Sequence, residues 1–435
     1  MATPKPMLDP DLAQPPRGIG PIERREMRLA YAMLLPTFGI VLAIVLGPLL
    51  ANFWIAFKPV QLADLRPATV FANERLRGDA EAVGDQALLQ YRLRNSTRDS
   101  EVREVTLADT LPEGLAVIEL DERCTLNGRD LSCELGTYAG GFRENLEIEV
   151  TVDQAYLADP VNPRDSQPLM GGVSDNTLTN FTFTLDNFVR IFDSDEFWHV
   201  LRVSLYYTVF GTAGALVLGL FAAQLLNDAF AGRTILRGLF LFPYVAPVIA
   251  VAFAWVILLD PFSGTLNSIL QQMGATDEPV NFFGQRSVPI NLFGLTIDFP
   301  VALSTVIAFE AWRYFPLSFL FILARMQSLS SEMYEAAEMD GATPLQQFWY
   351  ISLPQLVGIL AVLFLLRFIW TFNKFDDIFL LTGGAAGTRT LTVDVYEQAF
   401  AVSNLGAGAA VAVVVFIVLL TFALLFFKFS PKDEG

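Results

Sequence analysis

The stretch Tyr334-Glu335-Ala336-Ala337-Glu338-Met339-Asp340-Gly341-Ala342-Thr343-Pro344-Leu345-Gln346-Gln347-Phe348, followed by Ile351-Ser352-Leu353-Pro354, decides how this chain is read. It encodes two short helices around a tight turn. Glu332 to Met339 are good helix formers, and Gly341 is placed to take the left-handed conformation that ends a helix. Thr343 caps the next helix, Pro344 takes its first position, and Gln346 completes a capping box. Leu353-Pro354 is expected to close that helix. A plain amphipathic surface loop has no need of the small Ala336-Ala337 pair, the acidic Glu335 and a glycine hinge together.

Apolar blocks flank this loop, Val301–Ala324 before it and Leu356–Phe372 after it. Others cover Leu29–Phe57, Val200–Leu226, Leu239–Leu259 and Ala407–Phe427. Each is roughly 20 residues, the length that crosses a bilayer. The chain is 53% hydrophobic and 17% charged, where soluble domains carry about 45–50% and about 25%. The apolar excess sits in these blocks. Lipid offers backbone amides no partner, so each block is predicted to be a transmembrane helix, about six in all. The first is too long for a signal-peptide core and has no small-residue cleavage site after it. It is expected to stay as a helix over 29–57, behind a proline-rich disordered tail over 1–28.

Basic residues set the orientation. Arg17, Arg24, Arg25 and Arg28 precede the first block, Arg233 and Arg237 follow the second, Arg325 follows the fourth, and Lys428 and Lys432 follow the last. With alternating crossings all of these share one side, so both termini, the tail 429–435 included, are expected in the cytoplasm. The net charge of −17 argues against nucleic acid as a partner, and most of the acid lies between residues 58 and 200. The polar insert 58–180 then faces outside. In it Leu89, Tyr91 and Leu93 alternate with polar residues, as do Leu146, Ile148, Val150 and Val152, which predicts strands with one buried face. A turn over Asp109–Leu115 lies between them. Cys124 and Cys133 fall in this insert, where thiols oxidise, and are predicted to form a disulfide. A single histidine, His199, rules out a His-rich metal site.

The Tyr334–Pro354 run matches the EAA loop of binding-protein-dependent ABC importers almost position by position. Arg233-Thr234, Phe242-Pro243, Trp255 and Gly264-Thr265-Leu266-Asn267 resemble the sugar-importer permeases within that group. So do Thr184-Leu185-Asp186-Asn187-Phe188, Phe372-Asn373-Lys374-Phe375-Asp376 and Leu381-Thr382-Gly383-Gly384. A large external domain between the first two core spans is similar to the larger membrane subunit of the maltose transporter, although no extra pair of N-terminal spans is seen here. The insert itself resembles the immunoglobulin-like modules of bacterial surface proteins over Leu88–Val152, which implies a β-sandwich.

The resemblance implies an all-α polytopic membrane protein of the type I ABC importer fold over 181–428, carrying the inserted β-sandwich-like domain. It makes 330–356 a coupling loop that docks in a cleft of an ATPase, with Glu335, Ala336, Ala337, Asp340, Gly341, Ala342, Leu353 and Pro354 as coupling residues. It implies as partners a second permease subunit, an ATPase dimer and an extracytoplasmic sugar-binding protein, in a bacterial inner membrane. ATP and Mg belong to the ATPase, and no cofactor or metal is expected on this chain.

No enzyme is expected either. Gly383-Gly384-Ala385-Ala386-Gly387-Thr388 lacks the lysine of a phosphate-binding loop, and neither HExxH nor a nucleophile elbow occurs. Glu310, Arg313, Arg367 and Asp376 lie within or near apolar blocks, where ionisable groups are costly unless paired or wet. Glu310 and Arg313 share a helix face with Tyr314 and Leu317 and are placed to pair. Phe372, Asn373 and Asp376 read as a second face. By resemblance these two faces match the spans that line the sugar pathway, so Glu310, Arg313, Tyr314, Leu317, Phe372, Asn373 and Asp376 are the candidate substrate residues. Aromatic rings suit the C–H faces of a sugar, and carboxylates or amides suit its hydroxyls. The expected cargo is a maltose- or trehalose-type di- or oligosaccharide or a related glycoside, with a polyol or glycerol derivative as the alternative.

Overall fold

The computed structural model describes residues 21–78, 80–98, 100–161, 167–292 and 295–429. The expected tails before residue 21 and after residue 429, Lys432 included, lie outside the described residues. The chain divides into two compact units, Met1–Trp54 and Ile55–Gly435. The first contains most of a long helix: α1 (Pro21–Val41), a π-helical turn (Leu42–Leu46) and α2 (Gly47–Ala56). Helix begins inside the stretch expected to be tail. Arg24 to Arg28 are good helix formers that run straight into the apolar block, so nothing stops the helix at Arg28.

The insert is a sandwich of two antiparallel sheets. Its strands are β1 (Val70–Gly78), β2 (Gln86–Asn95), β3 (Val102–Thr110), β4 (Leu115–Glu119), β5 (Cys124–Asn127), β6 (Asp130–Tyr138), β7 (Arg143–Val152) and β8 (Leu169–Ser174), with the short α3 (Gln154–Ala158) after β7. One sheet has the order β1-β2-β7-β4 and the other β5-β6-β3-β8. The alternation seen in the sequence becomes burial: Leu89, Tyr91 and Leu93 of β2 pack with Leu146, Ile148 and Val150 of β7 against Val105, Leu107 and Leu131 of the facing sheet. Cys124 and Cys133 are register partners on β5 and β6 and are joined as a disulfide.

The remaining helices are α4 (Asp186–Phe192), α5 (Asp195–Asn227), α6 (Arg233–Phe240), α7 (Phe242–Val245), α8 (Val248–Leu258), α9 (Thr265–Gln272), α10 (Val301–Met326), α11 (Ser331–Met339), α12 (Pro344–Gln347), α13 (Leu353–Phe372), α14 (Asp376–Leu381), α15 (Leu391–Tyr396) and α16 (Leu405–Phe429). A hairpin of β9 (Val288–Leu292) and β10 (Leu295–Phe299) precedes α10. α5 and α10 run parallel at close range, because small residues on α5 meet α10 at each step. A Cβ on Gly214 would fall 2.8 Å from the Ala311 Cβ, and one on Gly219 2.6 Å from the Ser318 Cβ. α13 runs the other way, and its Leu356 meets Leu226 and Met326 at one end of the bundle.

At the opposite end the β-domain is tied to the core. The Asn187 amide donates to the carbonyls of Ala56 and Lys58 at 3.0 and 2.8 Å. The buried Lys58 ammonium donates to Asn180 Oδ1 at 2.9 Å, and Gly406 N–H donates to the Val60 carbonyl at 2.9 Å.

Among the described residues five helices are long and apolar enough to cross a membrane, or six if the α6–α8 pair counts as one span. That pair corrects the sequence reading of Leu239–Leu259 as one helix: the chain bends by 92° between Val245 and Val248. Pro247 has no N–H for the Pro243 carbonyl, so the ladder ends there. The second correction is at Leu353-Pro354, which does not close a helix. A π-helical turn (Phe348–Ser352) carries the chain into α13, with Leu353 N–H reaching the Phe348 carbonyl. The ladder is already shifted when the proline arrives, and Pro354 falls in the first turn of α13, where its missing N–H is tolerated.

Candidate functional site

At the end of the bundle far from the β-domain, α11 and α12 form a capped pair. Ser330 Oγ accepts Glu332 N–H at 3.3 Å to start α11. Its end is a Schellman motif: Ala342 N–H reaches the Ala337 carbonyl and Gly341 N–H the Glu338 carbonyl, both at 2.9 Å, with Gly341 at φ +81°. Thr343 N–H donates to Gln346 Oε1 at 2.8 Å, and Gln346 N–H donates back to Thr343 Oγ1 at 3.4 Å. The Tyr334 and Ser352 hydroxyls, 2.9 Å apart, fasten α11 to the base of α13. Glu335, Ala336, Asp340, Gly341 and Pro354 are exposed, while Ala337, Ala342 and Leu353 are half-buried. Met339 is 89% and Tyr350 81% exposed, and Leu345 stands out beside them. Both helices of this loop are capped from within it while its apolar side chains stand exposed, which is the state of a surface awaiting a partner.

Half-way along α10 a charged network fills the interior. Glu310 does not pair with Arg313. Its carboxylate takes the Arg367 guanidinium of α13 at 2.5 Å, the Thr371 hydroxyl at 2.8 Å and the Tyr207 hydroxyl of α5 at 3.1 Å. Arg313 turns instead to the broken helix: it donates to the Pro243 carbonyl at 3.4 Å and the Ala246 carbonyl at 3.3 Å. The Pro243 oxygen is the one orphaned by Pro247, so the arginine supplies the missing donor. Cations surround the Tyr314 ring, with Lys374 at 4.3 Å, Arg367 at 4.4 Å and Arg313 at 5.5 Å from its centroid. Lys374 also bonds the Tyr314 hydroxyl and lies 3.6 Å from Asp376 and 3.7 Å from Asp377.

Of the remaining candidate pathway residues, Leu317 is half-buried, Phe372 buried, Asn373 exposed and Asp376 half-buried. The last three do not share one helix face. α13 ends at Phe372 and α14 begins at Asp376, and the Asn373 amide donates back to the Ile369 carbonyl in the last turn of α13 at 2.9 Å. Tyr207, Thr371 and Lys374 also belong to the network and are not among the residues the sequence marks for the pathway. Thr371 lies one turn from Arg367 on α13, and that periodicity could have found it. Tyr207 meets Glu310 only through the α5–α10 packing.

A helical bundle crossed by apolar spans, with buried charge at its middle and an exposed capped helix pair at one end, is that of a polytopic transport subunit driven from outside its own chain. The chain belongs to the family described as "Binding-protein-dependent transport system inner membrane component", which matches residues 215–432. It is 34% identical to the "Inner membrane ABC transporter permease protein YcjO" of Escherichia coli (strain K12) over 67% of this chain and 87% of that one. It is 32% identical to the "Trehalose/maltose transport system permease protein MalF" of Thermococcus litoralis over 56% of this chain and 78% of that one. A solved bacterial ABC transporter involved in import of the acidic polysaccharide alginate shares the fold, with a TM-score of 0.50 and 21% identity over 58% of this chain and 86% of that chain. This chain is therefore the multi-pass inner-membrane permease subunit of an ABC importer. It translocates a polar solute and is not itself catalytic; ATP is hydrolysed on a separate partner, and a substrate-binding protein delivers the cargo.

Proposed function

We propose that the cargo is an unphosphorylated sugar, a maltose- or trehalose-type di- or oligosaccharide or a related glycoside. The observation that carries this reading is the setting of Tyr314. Its ring lies among Arg313, Arg367 and Lys374, close to the helix break where Asn373 is exposed and Asp376 half-exposed. Ring, amide and carboxylate together are what a sugar needs for its C–H faces and hydroxyls. The likeness to a permease named for trehalose and maltose supports the same class. A relative named for sn-glycerol-3-phosphate, 28% identical over 57% of this chain, points to the alternative of a glycerol derivative. Two of the cations around Tyr314 already face carboxylates, Arg367 with Glu310 and Lys374 with Asp376 and Asp377, which leaves little attraction for a phosphate.

In this reading Glu310, Arg313, Tyr314, Leu317, Phe372, Asn373 and Asp376 serve the pathway. The loop 330–356 docks the ATPase from the cytoplasm, where both termini lie, and a second permease subunit of the MalG type completes the pore. Reconstituted complex with sugar-loaded binding protein tests it. Asn373→Ala and Asp376→Ala should each lower transport about tenfold, since losing a hydrogen bond to a charged group costs about 1.5–3 kcal/mol and a neutral one about 1. Assembly with the ATPase should persist. Unchanged sugar transport in both variants would remove these residues from the pathway.

A further inference from the structure

The outer face of the β1-β2-β7 sheet has two halves of different character. In one half the polar groups answer each other: the Arg75 guanidinium donates to Gln90 Oε1 at 2.6 Å, and the Gln90 amide donates to the Glu147 carboxylate. In the other half the register sets Phe71 opposite Arg94 and Arg94 opposite Arg143, with Asn73 opposite Arg92 and Arg92 opposite Asn145. Three arginines thus gather on one face of a chain whose net charge is −17. Among the described residues no carboxylate lies within ion-pair distance of any of them. Glu144, at the same rim, is held by Arg123 and Tyr138. Like charges directly across a sheet destabilise it, so the Arg94–Arg143 pair is a cost that a bound anion would remove.

These side chains line an open hollow of about 730 Å³. That is within the roughly 300–1,000 Å³ of small-ligand sites. A docked protein would bury roughly 800 Å² on each side, a broader surface than this hollow supplies. Phe71 is 52% exposed, and the Arg94 guanidinium lies 5.6 Å from its ring centroid. A flat ring takes the C–H face of a pyranose, a guanidinium grips a carboxylate with two parallel bonds, and the Asn73 and Asn145 amides both donate and accept toward hydroxyls.

We propose that this hollow binds an acidic oligosaccharide, a short chain of uronate-type sugars, at a site apart from the membrane pathway. The test uses the full chain in lipid nanodiscs and calorimetric titration with tetragalacturonate. Maltotetraose and a polyaspartate of equal charge are the comparison probes. Tetragalacturonate is expected to bind, more weakly as salt rises, and maltotetraose is not. Arg94→Gln combined with Arg143→Gln should weaken binding at least about tenfold, through loss of charge-assisted bonds. Both positions are exposed, so the thermal midpoint should hold or rise. Phe71→Ala should weaken tetragalacturonate and leave polyaspartate unaffected. Failure of tetragalacturonate to bind, or equal binding of maltotetraose, overturns the proposal. So does tighter binding of polyaspartate that ignores Phe71→Ala, which would make this face a dock for an acidic protein.

Discussion

The Arg367 guanidinium and the Glu310 carboxylate lie 2.5 Å apart, at 2% and 0% exposure, and join α13 to α10 in the middle of the bundle. Desolvating two such charges is expensive, and their attraction offsets it only because the remaining lone pairs are also used. Here Thr371 and Tyr207 use them. The pair therefore fixes which helices meet more than it adds to stability.

Breaking the pair from one side should be severe. Glu310→Gln or Arg367→Met leaves a buried charge alone, which costs about 3–5 kcal/mol. The double variant should recover most of that loss. Thermal unfolding of the purified chain in detergent measures all three. Strictly additive losses would mean that the two side chains do not act as a pair.

Arg313 should hold the bend between α7 and α8. Arg313→Leu leaves the Pro243 carbonyl without its donor, a loss of about 1 kcal/mol for a bond of ordinary strength. Faster amide exchange is expected over residues 248–251, with α5 and α10 unchanged. Exchange that rises evenly through the bundle would instead point to general destabilisation.

The β-domain should be acid-sensitive below the ordinary carboxylate range. The Arg123 guanidinium, bonded to both Asp121 and Glu144, holds each carboxyl below its usual pKa, and the Tyr138 hydroxyl adds to this at Glu144. A depressed folded pKa means that the stabilisation is full above the unfolded values, about 3.9 for Asp and 4.3 for Glu. It is lost as pH falls through the folded values. Proteolysis around residues 121–144 should therefore be unchanged from pH 8 to 5 and rise below about pH 4. Arg123→Gln, which removes the main cause of both depressed pKa values, should raise proteolysis already at neutral pH and flatten its dependence on pH below about 5. A variant with the wild-type acid profile would rule out the cluster as the cause.

The Cys124–Cys133 bond should stabilise that domain by about 2–4 kcal/mol through its short closed loop. Unreduced protein should offer no labelled thiol at either position. A reductant should increase proteolysis of the domain and leave the bundle intact. Two thiols labelled without reduction would exclude the bond.

What could be read ahead of the structure divides by distance along the chain. Alternation at Leu89, Tyr91 and Leu93, or at Leu146, Ile148 and Val150, reports a buried face because a strand repeats every two residues. The caps at Ser330, Gly341 and Thr343 involve neighbours within a turn or so. The partner of Glu310 is another matter. Arg313, three residues away, was the local choice, and Arg367 takes its place because the packing of α10 on α13 brings it to the carboxylate while Arg313 is drawn to the orphaned Pro243 carbonyl. The bend at Pro247 shows the same limit. Hydropathy runs unbroken from Leu239 to Leu259, and only the prolines mark where the ladder must fail, without giving the 92° direction.

Gly341 offers the sharpest test of how the bundle meets its ATPase. At φ +81° it adopts a conformation that a β-branched residue takes only at a cost of about 1–2 kcal/mol or more, yet nothing lies within 4 Å of where its Cβ would be. Gly341→Val therefore strains the turn without a clash, while Gly341→Asn keeps the left-handed conformation accessible. The strain acts on an exposed loop that no interior packing depends on, so insertion and thermal stability of the chain should change little for either variant. If the angle between α11 and α12 sets the fit to the ATPase, Gly341→Val should lose most transport and co-purify poorly with the ATPase, and Gly341→Asn should retain both. Tyr334→Phe, which removes the bond to Ser352 while leaving the turn alone, should give a smaller loss. Full transport by Gly341→Val would show that the turn angle is not what the ATPase reads, and the docking surface would then have to be sought in the exposed Met339, Leu345 and Tyr350 side chains instead.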